Sequence, residues 1–211
     1  MSDKDIPHHS ARCEKCGVLL RDCFCAEIPC LTVKTKIVVV RHWREELTSS
    51  NSARLLPMMI PSCEIHRRGG KVRFDAEKIL AAAPTPLFLF PDEGARELNA
   101  DFLREFPGPH TLVVPDGTWS QVRRVHRREV FLSHVPTVKL TEADIVAQPT
   151  IYSLRHTDHP YALSTFEAVA RALGVLEGKT VENALMKVFR MFVDRSLWMR
   201  GLAVPVRQRG A

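Results

Sequence analysis

Three short runs of consecutive apolar residues constrain this chain more than any other feature: they lie within Thr35–His42, Pro86–Phe90 and His110–Val114. A strand with one wet face alternates polar and apolar residues, so a strand apolar at every position must be covered on both faces. Each run is short and rich in β-branched or aromatic side chains, which favours a strand over a stretch of buried helix. Between and after them the spacing turns helical. Asn51–Ile60 reads as one or two helical turns ended by prolines, Gly94–Phe106 as an amphipathic helix, and another helix begins near Thr118. Val135–Leu140 and Thr150–Arg155 read as further strands. Buried strands separated by helices predict an α/β fold, a mostly parallel sheet with helices on both faces.

Two helices close the pattern. Ser164-Thr165-Phe166-Glu167 is a capping box, followed by Phe166, Val169, Ala170 and Leu173 at helical spacing. A second helix over about 180–199 carries Val181, Leu185, Val188, Phe189 and Phe192 on one face. The tail from Gly201 is short and basic, residues 1 to 12 are polar and expected to be mobile, and no internal repeat is visible.

The six cysteines are unevenly spread, with Cys13, Cys16, Cys23, Cys25 and Cys30 close together and Cys63 apart. Cys13-x2-Cys16-x6-Cys23-x1-Cys25 offers four thiolates, the donor set of a structural zinc ion, although the single residue between the last pair is tighter than most zinc ribbons use. The alternative is a set of reduced free thiols; four exposed ones would be a chemical liability. Cys30 and Cys63 read as ordinary buried small residues. Residues 1–32 are therefore expected to form a small zinc-binding segment, with 33–211 as the main domain.

At 211 residues, 45% hydrophobic and 26% charged, the chain can bury a core of its own. Its apolar runs fall well short of the roughly 20 residues of a membrane-spanning helix, and Met1–Ser10 does not resemble a signal peptide, so a cytoplasmic protein with no membrane partner is expected. A formal charge of +6 makes an anionic partner, nucleic acid above all, plausible on electrostatic grounds.

In an open parallel sheet, ligands bind beyond the carboxyl ends of the strands. Three loops are expected there: His42-Trp43-Arg44-Glu45, Pro91-Asp92-Glu93-Gly94 and Pro115-Asp116-Gly117-Thr118-Trp119. Singly each has a bland reading, Asp116 as a helix N-cap, Gly117 as a turn residue, Trp119 as a core aromatic and Asp92 with Glu93 as dipole compensation. Together they put acids at one edge of an otherwise basic protein. Arg123, Arg124, Arg127 and Arg128 recur at i and i+4 just beyond Trp119 and, with His66-Arg67-Arg68, suggest a surface that follows phosphates around an acidic pocket; a solvated helix face is the alternative.

At this point the sequence resembles the DTW-domain family, whose Asp-x-Thr-Trp signature stands here as Asp116-Gly117-Thr118-Trp119. The resemblance extends over the cysteine cluster, His42-x-x-Glu45, Asn51–Leu55, Leu89–Ala95, Ser120-Gln121 and Leu163–Ala168, nearly the whole chain in order. Trp43 stands where the family often has Pro, and Ser52 where Thr is common; both put the loop backbone in question more than its chemistry. The family's characterised bacterial members are tRNA-uridine aminocarboxypropyltransferases. The resemblance therefore implies a SPOUT-like fold with a C-terminal trefoil knot, S-adenosylmethionine as donor, tRNA as partner, and a monomer or homodimer.

On that reading Asp116 is the general base that takes the uridine proton, with Thr118 and Trp119 beside it, Trp119 stacking on uracil or walling the pocket. Burial beside Trp119 is expected to raise the proton affinity of Asp116. The donor is expected on Pro91, Asp92, Glu93, Gly94, Pro115, Leu163, Ser164, Thr165 and Glu167, with the helix start at Ser164 and Thr165 facing its carboxylate and an acid such as Glu93 or Asp92 its ammonium. His42, Arg67, Arg68, Arg123, Arg124, Arg127 and Arg128 are expected to meet RNA. An RNA methyltransferase of the SPOUT type and a non-catalytic zinc-ribbon RNA-binding protein are the alternatives; acids at three strand ends disfavour the latter.

Overall fold

A computed structural model describes residues 11–71, 75–81, 83–129, 132, 134–154 and 162–202, apart from the side chains of His126 and Arg127. Six strands, β1 (Lys36–His42), β2 (Cys63–Arg68), β3 (Pro86–Leu89), β4 (Arg96–Glu97), β5 (Thr111–Asp116) and β6 (Thr137–Lys139), form one sheet in the order β2-β1-β5-β3-β6-β4. Every pairing in it is parallel, as the unbroken apolar runs require.

The alternation of side chains along β1 and β5 divides the interior in two. Ile37, Val39, Leu112 and Val114 point into the larger core with α1 (Leu56–Met59), α6 (Thr165–Leu176) and α7 (Lys179–Trp198). Val38, Val40 and Val113 point the other way, against α2 (Ala76–Leu80) and α4 (Trp119–Arg128). Each buried Val or Ile contributes about 1.5–3 kcal/mol. Gly174 lets α6 and α7 meet closely, because a methyl group there would overlap the Glu182 carboxylate.

The sheet order also creates a crevice. From β1 the chain moves outward to β2, whereas from β5 it moves the opposite way, to β6. The adjacent carboxyl ends of β1 and β5 are thus the point where the winding direction reverses, which is where doubly wound sheets bind ligands.

Several predicted elements take another form. Gly94–Phe106 is not one helix: Arg96–Glu97 pairs with β6 as an edge strand, and Asn99 caps α3 (Ala100–Glu105) by accepting from the Phe102 amide at 2.9 Å. Thr150–Leu154 contains no strand; the buried Glu167 carboxylate accepts from the Thr150 hydroxyl (2.7 Å) and the Ile151 amide (3.0 Å), holding this stretch as a loop, while Arg155 lies outside the described residues. The polar edge strand β2 and the short helices α2 and α5 (Glu142–Ala147) lack a long apolar period to announce them.

The cysteine-bearing stretch folds as turns against the larger core, to which Cys16, Val18 and Phe24 belong. Arg195 of α7 clamps it, donating to the Asp22 carbonyl (2.7 Å) and Glu27 (2.8 Å) while lying over the Phe24 ring. Among the described residues no helix is long and apolar enough to cross a membrane.

Candidate active site

Asp116 ends β5 at the crevice and is only 5% exposed. Its register partner on β1 is Arg41, whose Nε donates to Asp116 Oδ2 at 3.1 Å. The Asn51 amide donates to the same oxygen at 2.7 Å, and the Thr165 hydroxyl, in the first turn of α6, donates to Oδ1 at 2.8 Å. A buried carboxylate is costly unless paired and hydrogen-bonded, and here three segments distant in sequence supply the partners.

Asp116 is not the N-cap of the helix that follows. Thr118 holds that position, and its backbone N–H donates to Gln121 Oε1 at 2.8 Å, which leaves the Asp116 carboxylate to the crevice. Gly117 is required by close approach: a Cβ there would stand 2.8 Å from Gln121 Oε1 and 3.3 Å from His42 Cβ.

Above Asp116 opens a cavity of about 210 Å³. It is lined by Gly117, Thr118 and Trp119, by Ala162 to Thr165, and by Asn51, Ser52, Thr150 and Tyr152. Trp119 is half-buried, with its ring centroid 5.9 Å from that of Phe90. The Tyr152 hydroxyl donates to the Ser50 carbonyl, and its ring stacks on Phe189, so the Asn51 loop and the Thr150 loop are tied together. Ser164 and Glu167 form the predicted capping box, the Ser164 amide donating to Glu167 (3.1 Å) and the Glu167 amide to the Ser164 hydroxyl (3.2 Å). Glu167 is fully buried and organises the cavity wall without lining it.

Other predicted residues stand apart from the cavity. Pro91, Asp92, Glu93 and Gly94 are exposed at the end of β3 and do not line it. Pro115 is buried within β5, opposite Val40. His42 lies beside Gly117 and caps the turn Trp43–Leu47 by accepting from the Arg44 amide at 3.4 Å. Burial, with Arg44, Arg68 and Arg124 nearby, pushes its imidazole pKa below the ordinary value. Arg68 is bound to Glu129 at 2.7 Å and Arg67 to Glu46 at 3.3 Å, so both are partly neutralised within the protein. Arg123, Arg124 and Arg128 are exposed on α4, and the Arg127 side chain lies outside the described residues.

The four cysteine sulfurs all lie within 4.8 Å of one another, with Cys13 to Cys25 at 3.6 Å and Cys16 to Cys23 at 3.9 Å. Tetrahedral ligands about 2.3 Å from a zinc ion stand about 3.8 Å apart, so the set fits such an ion. Burial raises the Cys16 and Cys25 thiols. Burial acts the same way on Cys13, but hydrogen bonds from the Cys16 and Lys15 backbone outweigh it and bring its pKa down to about 6. Cys63 is buried elsewhere, as expected, and its pKa is pushed up to about 12, whereas Cys30 is exposed and not the buried residue the sequence suggests.

The sequence reasoning did not assign Arg41, Asn51, Ser52, Thr150, Tyr152 or Ala162 to the site. The Asn51 to Leu55 segment did stand out as a motif, but Arg41 looks like the polar end of a strand, and nothing local marks Thr150 or Tyr152.

A parallel α/β sheet with a cavity at its winding reversal, lined in part by a buried carboxylate, is the architecture of a ligand-binding α/β domain. The chain belongs to the DTW domain family, whose model matches residues 10–197. It is 31% identical over 186 residues to a Drosophila melanogaster protein named tRNA-uridine aminocarboxypropyltransferase 2, an alignment that covers 83% of this chain and 70% of that one. Proteins of the same name from Macaca fascicularis (28% identical, covering 78% of this chain) and Mus musculus (27%, covering 85%) also match. The chain spans 56% and 62% of the lengths of those two. No solved structure shows significant similarity to the chain.

Proposed function

We propose that this chain transfers the 3-amino-3-carboxypropyl group of S-adenosylmethionine to the position-3 nitrogen of a tRNA uridine, releasing 5′-methylthioadenosine. The observation that carries this reading is the Asp116 carboxylate, buried at the floor of a cavity built from the family signature Asp116-Gly117-Thr118-Trp119. The names of three relatives point to the same reaction.

The uracil imide must lose its proton to become a nucleophile. Asp116 Oδ2 is occupied by Arg41 and Asn51, whereas Oδ1 accepts, among the described residues, from Thr165 alone and keeps a lone pair for that proton. The nitrogen then attacks the methylene next to the sulfonium; the new bond is N–C, the C–S bond breaks, and its electron pair stays on the neutral thioether. Methyl and methylene share one sulfur, so selection between them is a matter of aim. Ser164 and Thr165 present the α6 N-terminus to the donor's carboxylate, and Trp119 offers a face to the base. Pro91, Asp92, Glu93 and Gly94 belong, on this reading, to the outer rim of the donor site.

The finer architecture goes with the same reading: a SPOUT-like fold with a C-terminal trefoil knot, a zinc ion on Cys13, Cys16, Cys23 and Cys25, and a monomer or homodimer acting on tRNA in the cytoplasm. The test uses unmodified tRNA and donor labelled separately in the methyl and the aminocarboxypropyl arm. Label from the aminocarboxypropyl arm is expected in RNA; label from the methyl would replace this reading with methyl transfer. Calorimetry that detected RNA binding but no donor binding would favour a zinc-ribbon RNA-binding protein.

A further inference from the structure

We propose that Asn51 recognises the α-ammonium group of the donor's amino-acid moiety and thereby sets which donors the cavity accepts, an inference that rests on the donor assigned above. Asn51 is 3% exposed, yet its Oδ1 has no hydrogen-bond partner among the described residues. The orientation of the amide is settled by its other end, where Nδ2 donates to Asp116 Oδ2 at 2.7 Å and faces Glu45 Oε2 at 3.4 Å. Turning the amide over would set its carbonyl against two carboxylates. The backbone is held as firmly, with the Asn51 N–H on the Thr48 carbonyl (3.0 Å) and its carbonyl accepting from Arg54 Nε (3.2 Å). Among the described residues Oδ1 therefore pairs with no donor, and a buried polar atom left this way calls for a ligand.

Asn51 lines the cavity, which limits what that ligand can be. An ammonium has N–H donors only and suits an acceptor whose own amide nitrogen is held by two carboxylates. The uracil imide suits it poorly, since its N–H is flanked by two carbonyls and the neighbouring amide donor is already committed to Asp116 and Glu45. Thr165 binds Oδ1 of Asp116 and Asn51 binds Oδ2, so the α6 N-terminus and the orphan acceptor meet the same carboxylate from its two oxygens. An amino-acid zwitterion has its carboxylate and ammonium on one carbon, and the two places match its two charges.

The experiment compares S-adenosylmethionine with its deaminated 2-oxo analogue, by calorimetry on the full chain without tRNA. The wild-type chain is expected to bind S-adenosylmethionine about 10-fold or more tightly than the analogue. Asn51→Ala is expected to lose about 10-fold for S-adenosylmethionine and to keep the analogue within about 2-fold, so that discrimination collapses. Equal affinities in the wild-type chain, a result that needs no variant to fold, would overturn the inference and leave the donor assignment standing; so would an Asn51→Ala variant that weakened both ligands alike. Failure of the wild-type chain to bind either ligand would remove the donor assignment, and this inference with it.

Discussion

Asp116 carries the proposed chemistry and also fastens β1, the Asn51 loop and α6 to one another, and Asp116→Asn separates these roles. The new amide keeps an oxygen for Arg41 and Asn51, and its nitrogen can donate to a Thr165 hydroxyl that has turned round. The fold is therefore expected to survive, weakened by about 2–3 kcal/mol because the partly buried Arg41 loses its anion. The amide cannot take a proton, so kcat is expected to fall by about 10²–10⁴-fold with donor affinity nearly unchanged. Single-turnover kinetics beside donor calorimetry and urea unfolding would check this; a near-normal rate in a folded variant would restrict Asp116 to positioning. The aspartate itself was legible from the sequence, because an acid next to Gly-Thr-Trp at the end of a buried strand is a recognisable motif. Its partners were not, since Arg41 and Asn51 acquire meaning only when β1 and β5 lie side by side.

The elements that sequence reasoning located, β1, β3, β5, β6, α4, α6 and α7, are those with a sustained period or a strong cap. Those it missed are set by partners far along the chain: β4 exists because β6 accepts it, and Thr150–Leu154 is a loop because Glu167 captures its polar groups. The cysteine segment lies between these cases, legible as a ligand set but not as part of the core. Arg195 and the burial of Val18 and Phe24 in the larger core hold this segment, and a zinc ion on the four sulfurs, as proposed above, would add to that stability. A chelator, or Cys23→Ser, is expected to lower Tm by several degrees, given about 2–4 °C per kcal/mol in a chain of this size. Loss of amide protection should be greatest at Cys13 and Gly17, whose N–H groups close the first turn. Scanning calorimetry with metal analysis would measure it, and an unchanged Tm in metal-free protein would reject a structural ion.

On the scale of the whole molecule, the question is how a protein with a formal charge of +6 and a buried carboxylate, Asp116, in its cavity holds a polyanion. The predicted arginines divide into two groups. Arg67 and Arg68 are paired with Glu46 and Glu129, and binding a phosphate would mean giving up those partners. Arg123, Arg124 and Arg128 are exposed on α4, a helix of 10 residues that starts at Trp119 on the cavity wall and runs about 15 Å from it. A uridine seated against Trp119 would leave the adjoining backbone within reach of that row. Replacing the three with Ala is expected to weaken tRNA binding at every sequence tested and to lower the slope of log K against log salt by about one unit for each phosphate that is no longer neutralised. Donor affinity should not change, because none of the three lines the cavity. Arg68→Ala is expected to do the reverse, costing stability through Glu129 while leaving the salt slope near that of the wild-type chain. Filter binding over a salt series, with urea unfolding of the same variants, distinguishes these outcomes. An unchanged slope in the triple variant would move the tRNA to another face, and α4 would then be only the solvated wall that its period alone describes.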